Sequence, residues 1–262
     1  MSTNLKGRKA LVLGGGKGLG LGVAQALSAK GADIILVGRA ADTLEKACGM
    51  IQSAGGACTA LSADLSDTGS VSRLLRTVEQ EHQRIDIVLL NGGGPPPFAA
   101  SVFDAEIWAG QFTSMMLSQI RIATCFLPGM RARRWGRIIG VSSTSVREPI
   151  PGLTASNALR AALAGWAKTL AAEVAAEGVT VNLLLPGRFA TDRTKEFDAM
   201  DAADRGVAPS VIAAESQAEI PAKRYGTAAE FGAVAAFLAS DDAAYVTGVA
   251  LPVDGGLSRG ML

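Results

Sequence analysis

Seven short apolar runs alternate with longer amphipathic segments along this chain, and that alternation constrains its fold more than any other feature. The runs are Lys9–Leu13, Ile34–Val37, Cys58–Ser62, Ile85–Leu90, Arg137–Val141, Val179–Leu184 and Val249–Val253. Each has the length of a strand and is bounded by glycine or polar residues. Helical patterns fill the gaps at Leu19–Lys30, Asp42–Ser53, Val71–Gln83, Glu106–Arg133, Ala155–Glu177 and Thr227–Ser240. Asp42 and Glu45 stand at capping-box spacing, and Pro128 is placed to kink the fourth helix. Buried strands alternating with helices predict one doubly wound α/β domain over the whole chain, a mostly parallel sheet covered on both faces. Ligands of such sheets bind outside the carboxyl ends of the strands, where the strand order reverses.

Composition agrees. Of the 262 residues, 48% are hydrophobic, enough to bury a full core. No apolar run approaches the length of a membrane span, so no membrane partner is expected. Met1–Lys9 is polar, so no secretory signal is expected and a cytoplasmic location is. The formal net charge of +1 gives no nucleic-acid footprint. Arg131, Arg133, Arg134 and Arg137 form the one basic cluster. It reads as a solvated helix end, with a docking patch for an acidic partner such as an acyl carrier protein as the alternative. Cys48, Cys58 and Cys125 lack metal-ligand spacing, so no metal is expected, and they read as buried free thiols.

The run Leu11–Gly20 leads from the first strand into the first helix through Gly14, Gly16, Lys17, Gly18, Leu19 and Gly20. Glycines let the chain turn tightly and let a diphosphate approach the backbone, while the helix start offers free N–H groups. The spacing GxxxGxG, on Gly14, Gly18 and Gly20, differs from the commonest dinucleotide fingerprint. No carboxylate follows the second strand to hold a ribose 2′-hydroxyl; Val37-Gly38-Arg39 stands there. Arg39 suits a 2′-phosphate, with Lys17 as a second cation, which favours NADP(H) over NAD(H). The alternative is that Arg39 only stacks on adenine.

Read together, these motifs resemble the short-chain dehydrogenase/reductase family from Lys6 to Gly256. That family's Rossmann fold is implied, with Asp64 and Leu65 beside the adenine and Asn91-Gly92-Gly93 steadying the sheet near the adenosine. Thr191 matches the threonine that bonds the nicotinamide carboxamide. Asn182, Thr247-Gly248 and Val253–Gly256 match the last strands. The resemblance implies hydride transfer between nicotinamide and a carbonyl or alcohol of a small-molecule substrate. It also implies a homodimer or homotetramer paired through helices such as the alanine-rich Ala155–Glu177.

The family's catalytic residues are a serine, a tyrosine, a lysine and an asparagine. Ser143 matches the serine. The tyrosine and lysine positions hold Ser156 and Arg160, and the asparagine position aligns with Met115. Tyr225 and Tyr245, the only tyrosines, lie near the end of the chain, and His82, the only histidine, follows the third helix, away from the expected site. A serine hydroxyl is a far weaker acid than a phenol, and a guanidinium cannot act as a base. Three readings stay open: carbonyl reduction with Ser143, Ser156 and Arg160 stabilising the oxyanion, reduction of a conjugated or ionised substrate, or NADP(H) binding without catalysis. Phe189–Pro221 reads as a lid, and Arg147, Glu148 and Arg188 as its charged rim.

Overall fold

The computed structural model describes residues 4–260; the first three residues of the polar Met1–Lys9 stretch lie outside it. Its seven strands are β1 (Lys9–Leu13), β2 (Asp33–Gly38), β3 (Cys58–Ser62), β4 (Ile87–Leu90), β5 (Gly136–Val141), β6 (Val179–Pro186) and β7 (Ala250–Val253). They form one sheet in the order β3-β2-β1-β4-β5-β6-β7 with every pairing parallel. The order reverses between β1 and β4, the predicted position of a ligand crevice. The expected doubly wound α/β fold is the observed one.

Two apolar layers sandwich the sheet. One face packs Val23 and Leu27 of α1 (Gly18–Ala29), Leu44 and Ile51 of α2 (Ala41–Ser53), and Phe231 and Leu238 of α9 (Ala228–Ala239). The other packs Leu74 and Val78 of α3 (Thr68–His82), Ile122 of α5 (Ser118–Ala132) and Leu170 of α6 (Thr154–Val174). Helices α1 and α9 meet backbone to backbone: a Cβ on Gly232 would lie 2.2 Å from the Gly22 carbonyl oxygen, so only glycine fits. Among the described residues, no helix is long and apolar enough to cross a membrane.

Three local expectations need correction. Helix α2 starts at Ala41 behind an Ala40 N-cap, so Asp42 sits within the first turn, near the helix dipole's positive end, and no capping box forms with Glu45. The capping box occurs instead at α9, where Thr227 and Glu230 bond each other's backbone N–H. The long fourth helix changes register at a π-helical turn, Thr113–Leu117, between α4 (Ala105–Phe112) and α5, while Pro128 is carried inside α5.

The third correction concerns the cysteines. Cys48 and Cys58 form a disulfide with their Cα atoms 5.3 Å apart, and only Cys125 is free. The buried face of α2 lies against β3, which brings the two sulfurs together. Cys125 donates to Glu79 at 3.2 Å, and burial with that bond pushes its thiol up to about 11.

Candidate active site at the carboxyl edge of the sheet

The glycine turn sits where β1 ends. Gly14 and Gly18 both have positive φ, at 61° and 56°, which L-side chains rarely adopt. Asn91, just past β4, donates from Nδ2 to the carbonyls of Leu13 and Gly14 at 3.2 and 3.4 Å, tying the turn to the neighbouring strand. A Cβ on Gly20 would collide with the Gly14 carbonyl oxygen at 2.1 Å, so the turn folds back onto the first turn of α1. No side chain caps α1, whose N-cap is Lys17, and its first turn carries no acid. Its N–H groups are therefore left to an anion. Thr191 stands opposite: its Cγ2 is 3.7 Å from the Cβ position of Gly18.

The chain brings other predicted groups to the same edge. Arg39 and Lys17 are exposed and form no ion pair among the described residues. Asp64 accepts from the Ser66 backbone N–H at 2.8 Å and its hydroxyl at 2.7 Å, which holds its carboxyl below the usual range. Leu65 and Gln119 flank Gly92. Thr191 caps α7 (Asp192–Arg205), accepting from the Thr194 N–H at 3.4 Å.

Beyond the cleft floor lie Ser143, Ser156 and Arg160, the residues from which chemistry is expected. Arg160 Nε donates to Ser156 Oγ at 3.1 Å, and its Nη1 donates to the carbonyls of Val141 and Ser142 at 2.9 and 2.7 Å. The guanidinium thus braces α6 against the end of β5. Desolvation, then the nearby charge of Arg193, lowers Arg160 to about 10. Ser143 caps the turn Thr144–Val146 through its Oγ, which accepts from the Ser145 N–H at 3.1 Å. Met115 is buried within the π-helical turn and, with Gly92, Gly93, Gln119 and Val141, lines a small cleft against Arg160.

Sequence reasoning missed two residues here. Gln119, 4% exposed, turns an unpartnered Oε1 into the protein interior, and only the π-helical register places it beside Gly92. Arg193 reaches from α7 to the Pro95 carbonyl at 3.4 Å. Neither has a local sequence signal.

Other predicted residues lie apart from these. His82 ends α3 with its carbonyl accepting from Lys9 Nζ at 3.1 Å, at the amino edge, and burial lowers its imidazole. Tyr225 donates to Asp198 at 2.9 Å and Tyr245 is fully exposed. Arg147 donates to the Ala250 carbonyl at 3.0 Å and Arg188 pairs with Asp198 at 3.4 Å, whereas Glu148 is exposed. The basic cluster also has internal partners. Arg131 pairs with Glu177, Arg133 with Asp86, Arg134 with the Ala176 carbonyl, and the buried Arg137 with Asp241.

Residues 14–258 match the family model described as enoyl-(acyl carrier protein) reductase. The chain belongs to the short-chain dehydrogenase/reductase family. It is 35% identical over 254 residues to the 3-oxoacyl-[acyl-carrier-protein] reductase FabG of Haemophilus influenzae, covering 97% of this chain and 99% of the relative. The structure of L-sorbose reductase from Gluconobacter frateurii, complexed with NADPH and L-sorbose, superposes with a TM-score of 0.94 at 28% identity over 100% of both chains. YwfH, an NADPH-dependent reductase involved in bacilysin biosynthesis, gives 0.91 at 27% identity over 97% of this chain and 99% of its own. This member of the short-chain dehydrogenase/reductase family has the seven-stranded parallel sheet, with the glycine turn at its carboxyl edge.

Proposed function

We propose that this protein is an NADP(H)-dependent oxidoreductase that interconverts a carbonyl and an alcohol on a small molecule, with Ser156 and Arg160 standing in for the usual tyrosine and lysine. The observation that carries the reading is the uncapped first turn of α1, facing Thr191 and flanked by the unpaired Lys17 and Arg39. A diphosphate fits free N–H groups at a helix start, and a 2′-phosphate fits two unpaired cations. Relatives in this fold that were solved with NADPH or NADP support the same cofactor.

When bound, the nicotinamide would supply or accept the hydride. The protein's own share is to hold the carbonyl oxygen and its developing charge. Ser156 Oγ already accepts from a guanidinium, so its own proton is free to donate to the substrate oxygen, and the cationic donor strengthens that O–H as a donor. Ser143 supplies a second hydroxyl. Neither serine is acidic enough to replace a phenol, so water delivers the proton to the alkoxide while Arg160 stabilises it. On this reading helices α7 and α8 (Pro209–Glu219), within residues 189–221, serve as the lid. The small-residue face of α6 pairs copies of the chain into a dimer or tetramer.

A second reading, cofactor binding without turnover, is favoured by one observation: Tyr225 is engaged by Asp198 and Tyr245 is fully exposed. The discriminating experiment monitors NADPH consumption at 340 nm across a carbonyl and enone panel, alongside calorimetry with NADPH. Saturable binding with turnover supports the oxidoreductase; saturable binding with no turnover on any panel member supports the second reading. No binding of NADPH overturns both.

A further inference from the structure

Two guanidiniums converge on one glycine at the substrate end of the cleft. A Cβ on Gly94 would lie 3.8 Å from Arg193 Nη2 and 4.0 Å from Arg160 Nη2, with no other heavy atom within 4 Å apart from those of Gly94 and its two chain neighbours. Gly94 thus leaves a gap between two cations. Arg160 has no carboxylate within ion-pair distance among the described residues, since its partners are two carbonyls and a hydroxyl. Its Nη2 makes no hydrogen bond among them. Arg193 meets Glu196 only through Nη1, at 3.9 Å, and turns Nη2 toward the gap and the Pro95 carbonyl. Arg193 also lies over the Phe197 ring at 4.4 Å, and Glu196 is, among the described residues, the one carboxylate near either guanidinium, so the repulsion between the two is a cost that a further anion in the gap reduces. Guanidiniums also recognise carboxylates through paired, charge-assisted hydrogen bonds.

We propose that Arg160 and Arg193 form an oxyanion-binding subsite over Gly94 and that its ligand is a carboxylate carried by the substrate. The inference deepens the reductase reading and rests on it: the substrate class becomes an oxo acid or hydroxy acid. Arg160 then serves twice, bracing Ser156 through Nε and holding the acid through Nη2. Arg193 rides on α7, so an acidic substrate draws that helix toward the loop after β4. The other source of an oxyanion at this edge is the cofactor's own diphosphate, and the experiment separates the two.

The test compares acetoacetate and levulinate with their methyl esters as NADPH oxidants, in the wild type, Arg193→Met and Gly94→Ala. The added methyl in Gly94→Ala lies at ordinary contact distance from both guanidiniums, so the fold tolerates it while the gap closes. The wild type is expected to prefer each acid over its ester by at least about tenfold in kcat/KM, and both variants to lose about tenfold of that preference. Equal use of acid and ester by the wild type overturns the proposal. So does a loss of NADPH affinity in Arg193→Met as large as the loss of acid preference, which assigns the pair to the diphosphate. Calorimetry of each acid against the NADP(H)-loaded protein covers the case without turnover. Saturable binding of the acid that Gly94→Ala abolishes then sustains the subsite and sinks only the reductase reading. No binding of the acid sinks the subsite.

Discussion

Arg160 Nε and Ser156 Oγ are hydrogen-bonded across 3.1 Å, one helical turn apart on α6. The bond joins the two residues proposed to stand in for the family's tyrosine and lysine. It also makes them one unit, because the guanidinium that orients Ser156 is itself anchored on the Val141 and Ser142 carbonyls. Arg160→Ala is expected to cut kcat by about 100-fold, a typical effect of removing one preorganised group beside a developing oxyanion. Ser156→Ala should cost comparably, and the double variant little more than either single one. Steady-state kinetics of the cycle checks this, and simple multiplication of the two losses would contradict it.

On the proposed function, cofactor choice turns on Arg39, an exposed side chain with no ion pair among the described residues. Replacing it with alanine should raise the Kd for NADPH by about tenfold or more and leave NADH unchanged. Equal weakening of both nucleotides in a fluorescence titration would remove the 2′-phosphate assignment.

Acid stability has a local source at the start of α9. Arg224 and the Thr227 backbone N–H and hydroxyl bond Glu230 and hold its carboxyl at about 2 instead of the usual 4.5. A carboxylate depressed in the folded state contributes stability that is complete above its unfolded value and lost as pH falls toward the folded one. Glu230→Gln should therefore lower the thermal midpoint near neutral pH, and the difference from the wild type should shrink between pH 4.5 and 2. Melting curves across that range provide the check.

The disulfide closes a short loop, the two cysteines being 10 residues apart. Loops of that size contribute roughly 3 kcal/mol by chain-entropy reasoning. Thiol titration in denaturant is expected to find one reactive cysteine without reductant and three with it. Reduction should lower the thermal midpoint without loss of nucleotide binding, since Cys58 opens β3 at the end of the sheet opposite the glycine turn.

At the crossing of α1 and α9, Gly232→Val would drive a side chain into the Gly22 carbonyl. Overpacking against backbone has no flexible neighbour to yield, so a loss of about 3 kcal/mol or more is expected in urea unfolding. An unchanged midpoint would mean that the two helices can separate at no cost.

The order of strands and helices, the glycine turn and the spacing of Ser156 and Arg160 one helical turn apart are properties of the sequence itself. They depend on local period, on glycine's access to positive φ at Gly14 and Gly18, and on a count of residues within one helix. Such features are written in neighbouring positions and survive any arrangement of the rest. Other facts belonged to the tertiary structure alone. Cys48 meets Cys58 because α2 lies along β3, and three arginines of the basic cluster are paired with Asp86, Glu177 and Asp241 from other elements, the fourth with the Ala176 carbonyl. The π-helical turn sets the register that brings Gln119 to Gly92. Arg193 and Arg160 face one another across Gly94 only because the loops after β4 and β6 end side by side. Contacts of that kind depend on the directions of side chains from different elements, and no periodicity along the chain encodes them.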